Sequence, residues 1–139
     1  MPARPAFLDD WPQDVPVAVE IKNKGWIGPK LLDCLRRHNA VLTLADQAWM
    51  PSPWGLVQQL DVLTGPFAYV RLLGHREEED ALTNTLDRVV IDRADQIEAD
   101  ALAIGRLSTR ASVLAFINNH FAGHTPETAR QLQEALPKP

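Results

Sequence analysis

Two kinds of hydrophobic pattern alternate along the chain. Short runs rich in β-branched and other apolar residues predict strands at 15–21, 40–46, 67–73 and 112–118. Apolar residues at helical spacing predict helices at 29–38, 52–60, 94–107 and from Thr125 onward. The order is β-α four times, which is typical of an α/β fold with a parallel sheet and right-handed crossovers. Four consecutive β-α units amount to one half of a (β/α)8 barrel.

The composition fits one globular domain. The chain has 139 residues, and we assign residues 1–139 to a single domain. The formal net charge of −4 excludes a global basic field for gripping nucleic acid. No window approaches the ~18 apolar residues of a membrane span, and the N-terminus lacks the apolar core of a signal peptide, which favours a cytoplasmic protein. The single cysteine, Cys34, lies among helix-pattern apolar residues and is interpreted as a buried structural thiol.

Each predicted strand ends in a polar residue, and chemistry in parallel β/α folds lies at the carboxyl ends of the strands. The residues are Glu20, Asp46, Arg71 and Asn118, which is followed by Asn119. If all four strand ends face inward, their side chains converge on one mouth. A buried guanidinium is costly without a carboxylate, so we expect Arg71 to pair with Glu20 or Asp46. Such a pair is compatible with a structural ion pair and with an anion-binding arginine, while Asp46 also suits a turn or a cap.

Two tryptophans and two histidines follow predicted strands. Trp26 and Trp49 are expected on the same rim, where they either stack a sugar or a base or cover the ends of the core. His120 and His124 are four residues apart but lie in a predicted loop without a third ligand nearby. We therefore expect no metal site and no cofactor.

Four segments of the chain resemble one known family. They read VAVEIKNKGW, LADQAW, FAYVRLLG and FINNHFAGHTPETARQL, and they occur in this order between about Phe7 and Leu136. The chain is similar to the YecE-like family, domain of unknown function 72. The resemblance implies a TIM-barrel-like fold of which this chain is the C-terminal half, because family members usually carry a further N-terminal half of about the same length.

The resemblance also implies a set of motif residues on this chain. They come from all four β-α units and are Glu20, Asn23, Trp26, Asp46, Arg71, Asn118, Asn119 and Gly123. The family has no settled biochemistry, and its likeness to sugar-phosphate isomerase and endonuclease-type barrels is an analogy of fold.

Three hypotheses about function follow. In the first, the barrel binds a small polar, sugar-like or phosphorylated ligand. Arg71 holds an anionic group, Glu20 or Asp46 acts as general base, and Asn118 donates hydrogen bonds. The candidate ligand-binding set is completed by Asn23, Trp26, Trp49 and Asn119. In the second, Trp26, Trp49 and Arg71 form a recognition surface for nucleic acid or a protein partner. In the third, the chain is an inactive truncated gene product.

We further expect that a half-barrel does not remain a closed monomer. Four strands leave two exposed edges, which are templates for association. Apolar residues of the inward face also lose their packing partners, and these are Leu42, Leu44, Phe67, Tyr69, Leu114 and Phe116. The expected outcomes are homodimerisation, pairing with a separately encoded N-terminal half-barrel, or a poorly soluble product.

Overall fold

The computed structural model describes residues 6–74, 87–89 and 92–138, and its elements follow the predicted order. The strands are β1 (Ala18–Val19), β2 (Val41–Gln47), β3 (Ala68–Gly74) and β4 (Val113–Ile117). The helices are α1 (Ala6–Asp9), α2 (Pro29–Arg37), α3 (Pro53–Gln59), α4 (Ala94–Ser108) and α5 (Thr125–Ala135), with short 3-10 turns at Lys24–Trp26 and Asn119–Phe121. Most of the connection between β3 and α4 falls outside the described residues. In the described part, no helix is long and apolar enough to cross a membrane.

The strands form a parallel sheet, which confirms the predicted α/β class. Within the described residues it has four strands in the order β1-β2-β3-β4. The first strand is shorter than the predicted 15–21 at both ends, and its later start follows from Pro16, which has no N–H to offer a neighbour. The backbone pairing still extends beyond β1, since the Val17 carbonyl accepts a hydrogen bond of 2.8 Å from the Val41 N–H.

One face of the sheet packs against helices and contains the hydrophobic core. Leu42 and Leu44 of β2 and Val70 and Leu72 of β3 are at most 2% exposed on this face. The helices contribute the other side of the same cluster, with the residues Leu8, Leu31, Leu32, Leu35, Leu56, Val57, Ile97, Ala101, Ile104, Leu107 and Leu132. We call this side of the sheet the helix face.

The opposite side, which we call the open face, carries the alternate residues of each strand. In register across β2, β3 and β4 they are Thr43 with Tyr69 and Leu114, followed by Ala45 with Arg71 and Phe116. On β4 this face is accessible, since Leu114 is 48% and Phe116 is 57% exposed. Leu42 and Leu44 were expected on this open face together with Tyr69 and Phe116. They lie on the helix face instead, so that expectation is wrong.

The error has a simple cause. Apart from Thr43, the β2 run at 41–45 is apolar on both faces, so period-two counting gives little indication of which alternate set meets the helices. A one-residue choice moves every side chain of the strand to the other face.

Candidate functional site

An ion pair crosses the open face at the carboxyl end of the sheet. Arg71 of β3 donates from Nη1 to Oε2 of Glu20, which follows β1. The strand between them, β2, places the small residue Ala45 in register with Arg71, so little side-chain volume separates the two groups. Lys22 donates from Nζ to the other oxygen of Glu20. The predicted pairing of Arg71 with a strand-end carboxylate is confirmed.

Two cations keep Glu20 ionised. Its side chain is 16% exposed, and burial alone would raise the pKa of this carboxyl. The hydrogen bonds and charges of Lys22 and Arg71 outweigh burial, and the pKa lies below its ordinary value. Glu20 therefore serves first as a counter-ion, because a general base works best with a pKa near the working pH.

A shallow cavity opens beside Arg71. It has a volume of about 180 Å³, and its lining consists of Tyr69, Arg71, Leu73, Phe116, Ile117 and Asn118. The rings of Tyr69 and Phe116 are in contact, with centroids 5.5 Å apart and planes tilted by 58°. The cavity thus combines a guanidinium, an aromatic pair and the Asn118 side chain at one strand end.

Asp46 does not join this site, which corrects the expectation that four strand ends converge. In register with Leu72, Asp46 lies on the helix face. There it is hydrogen-bonded to Asp100 of α4, which is 1% exposed. Burial, the hydrogen bond to Asp46 and the charge of Asp46 together raise the pKa of Asp100 to about 9. With this raised pKa the Asp100 carboxyl is protonated at neutral pH.

Asp100 was absent from the residues singled out by sequence, although a signal for it exists. It lies in the apolar stripe of α4, on the same side of the helix as Ile97, Ala101 and Ile104. An acid within such a stripe indicates a buried carboxyl with a specific partner.

The asparagines among the candidates divide into two kinds. Asn23 caps the 3-10 turn by accepting a hydrogen bond of 2.9 Å from the Gly25 N–H. Asn119 accepts one of 2.7 Å from the Thr125 N–H at the start of α5. Asn118 lines the cavity with an exposed side chain, while its backbone N–H donates to the Leu72 carbonyl.

Gly123, another residue that the family resemblance singles out, has a backbone φ of 108°, a conformation that favours glycine.

The two candidate tryptophans lie on connections that follow strands. Trp26 ends the 3-10 turn and is 38% exposed, and Trp49 is 59% exposed in the segment after β2. Among the described residues, the lining of the cavity beside Arg71 includes neither indole. The aromatic residue in register with Arg71 is Phe116.

Residues 6–74, 87–89 and 92–138 contain no cluster of side chains suited to a metal ion. No group of three or more His, Cys, Asp or Glu side chains there is arranged to hold an ion. The side chain of His120, one of the two histidines considered above, is outside the described part of the chain.

These features define a class: a parallel β/α protein whose polar side chains gather at the carboxyl ends of its strands. The family model described as "Protein of unknown function DUF72" matches residues 4–139, and the chain belongs to this family.

Solved structures of the family share the fold. A DUF72 family protein from Thermotoga maritima superimposes with a TM-score of 0.65 and 20% identity, covering 92% of this chain and 48% of that one. A DUF72 family protein from Enterococcus faecalis gives a TM-score of 0.60 and 21% identity over 91% of this chain and 52% of that one. The chain therefore spans about half the length of these relatives. No curated protein matches the chain.

Proposed function

We propose that this protein binds a small polar or anionic ligand at the carboxyl ends of its strands, with Arg71 as the anion contact. The observation that carries the proposal is the position of Arg71. Its side chain is 35% exposed, lines a cavity and is held by a carboxylate rather than enclosed in the core. A guanidinium presents five N–H donors in a planar fork, and that geometry matches carboxylates and phosphates.

The finer architecture that we propose is half of a TIM-barrel-like (β/α)8 fold formed by a single partial domain over residues 1–139. Three observations support it. The described strands are consecutive and parallel, the apolar core lies on the helix face, and the solved relatives are about twice as long. In such a barrel the open face lines the interior, and the cavity beside Arg71 lies at the mouth where barrel enzymes bind their ligands.

Within this proposal the side chains have different roles. Arg71 binds the anionic group, and Asn118 offers a polar side chain from the next strand. Glu20 holds Arg71 in place before the ligand arrives. An anion bound to the other donors of Arg71 shares this cation with Glu20 and adds a negative charge nearby, so the pKa of Glu20 rises and the carboxylate becomes a better proton acceptor. Asn23 and Asn119 hold the surrounding loops.

The proposal is tested by titrating the full chain with inorganic phosphate at constant ionic strength and following backbone amide signals by NMR. The amides of Glu20, Arg71 and Asn118 are expected to shift together. Arg71→Gln should weaken binding by about tenfold or more, since a charge-assisted contact is lost. Arg130→Gln is the matched control, because Arg130 is an exposed arginine paired with Glu127 on α5. Equal affinity of wild type and Arg71→Gln would contradict the proposal.

A further inference from the structure

We propose that the ligand is a phosphorylated monosaccharide, whose ring stacks on Phe116 while its phosphate binds Arg71. The inference rests on the proposed anion site and names the class of molecule that fills it. It depends on the aromatic neighbours of Arg71, on the size of the cavity and on the charge of its lining.

Phe116 is positioned as a platform beside the cation. It is the register partner of Arg71 on the neighbouring strand, and 57% of it is exposed. Tyr69, two residues before Arg71 on the same face, contacts the ring of Phe116 at 5.5 Å between centroids. The contact limits the orientations of the Phe116 ring and leaves much of its surface accessible. The apolar face of a sugar ring carries weakly positive C–H groups, which meet the negative face of an aromatic ring.

The size of the cavity favours one ring. Its volume of about 180 Å³ is below the ~300–1,000 Å³ of pockets that enclose larger ligands. A nucleotide brings a base as well as a sugar and a phosphate, whereas a monosaccharide phosphate brings a single ring. The lining also matches, since the aromatic pair suits the ring face and Asn118 suits hydroxyl groups.

The positive charge of Arg71 provides a binding position for the phosphate. Glu20 occupies Nη1 of Arg71, and the fork of the guanidinium has further donors for a second anion. Lys22, the other cation on Glu20, is largely exposed, with 62% of its side chain accessible. A phosphate at Arg71 therefore meets the guanidinium that lines the cavity, while Lys22 remains paired with Glu20 and offsets its negative charge.

The experiment measures dissociation constants of the full chain for four probes: inorganic phosphate, glycerol 3-phosphate, ribose 5-phosphate and glucose 6-phosphate. Glycerol 3-phosphate is the acyclic control for the same phosphate ester. We expect at least one of the two sugar phosphates to bind about fivefold or more tightly than glycerol 3-phosphate. Phe116→Leu should remove this preference and leave the affinity for inorganic phosphate within about twofold. Leu114→Ala, a change of an exposed apolar residue on the same face, should retain it.

Three results would overturn the inference, and they are distinguishable. If cyclic and acyclic esters bind wild type equally, the ring platform is wrong while the anion site stands. If inorganic phosphate and every ester fail to bind, the proposed function is wrong as well. If light scattering shows that wild type self-associates, and Phe116→Leu abolishes the association without any ring preference having been seen, the face is a contact between copies of the chain.

Discussion

Two acidic sites at the carboxyl end of the sheet lie on opposite faces and have opposite properties. On the open face, Glu20 contacts Lys22 and Arg71, and its pKa is lowered. On the helix face, Asp46 contacts Asp100, and the pKa of Asp100 is raised to about 9. Both sites begin with an acid near the end of a strand, so the residue type does not account for the difference.

The face of the sheet on which each site lies explains the opposite pKa shifts. On the open face, Glu20 is reached by Arg71 from β3 and by Lys22, which lies two residues further along the chain, and the carboxylate stays charged. A side chain on the helix face meets the core, where an ionised group is costly unless it is paired. Because α4 supplies another carboxyl rather than a cation, one proton is retained between the two acids. The parity of an acid along its strand therefore decides which charged groups it meets.

The largest expected effect tests the helix-face site. Asp100 is protonated in the fold up to about pH 9 but ionises at about 3.8 when unfolded, so the folded state retains a proton that the unfolded state releases. The contribution of Asp100 to stability is then fully present below pH 3.8 and falls as pH rises towards 9, by up to about 1.4 kcal/mol per pH unit. Asp100→Asn should remove this slope, so that the variant exceeds wild type by several kcal/mol at pH 8.

Urea unfolding of wild type and Asp100→Asn between pH 5 and 8 measures the slope. Asp95→Asn is the control, because Asp95 is an exposed acid in the first turn of the same helix. Parallel stability curves for wild type and Asp100→Asn would show that Asp100 is ionised in the fold.

The next effect concerns the open-face site, where the contribution to stability depends on pH in the opposite direction. Glu20→Gln removes the charge that pairs with Arg71, and we expect a loss of about 1–2 kcal/mol at pH 7, between the values for exposed and buried pairs. The folded pKa of Glu20 lies below 4.5, so its contribution is present above that pH and is lost as pH falls through the folded pKa. The deficit of the variant should therefore shrink as the pH is lowered below 4.5.

Thermal unfolding at pH 7 and at pH 3 tests this. Glu127→Gln breaks the exposed pair with Arg130 and should cost no more than about 0.5 kcal/mol at either pH. A deficit of Glu20→Gln that persists unchanged at pH 3 would mean that the Glu20 side chain stabilises the fold by packing rather than by charge.

Much of the fold was predictable because local patterns agree with it. The helices α2, α3 and α4 and the strands β2, β3 and β4 lie within one or two residues of the predicted bounds. The short helix α1 was missed, since four residues are too few to establish a helical period, even though its Leu8 is 1% exposed. Pro16 accounts for the later start of β1 but not for its end at Val19.

The site was predictable only where energy forced a partner. An arginine within an apolar strand requires a carboxylate, and this argument found the pairing of Arg71 with Glu20. The position of Asp46 could not be found in the same way, because β2 is apolar on both faces. The one polar residue within 41–45, Thr43, is in register with Tyr69 on the open face and was the available sign of the correct parity.

The smallest expected effect separates a loop-holding asparagine from a ligand-binding one. Asn119→Ala removes the acceptor for the Thr125 N–H and leaves that first-turn donor of α5 without its partner, which should cost about 1 kcal/mol. Asn119→Asp keeps an acceptor oxygen and adds a negative charge near the helix N-terminus, so it should restore most of the loss. Both variants are expected to bind inorganic phosphate like wild type, because Asn119 does not line the cavity beside Arg71. Chemical unfolding and the phosphate titration measure the two properties separately. If Asn119→Ala weakens phosphate binding and leaves stability unchanged, Asn119 belongs to the ligand site and the assignment of the two asparagines must be revised.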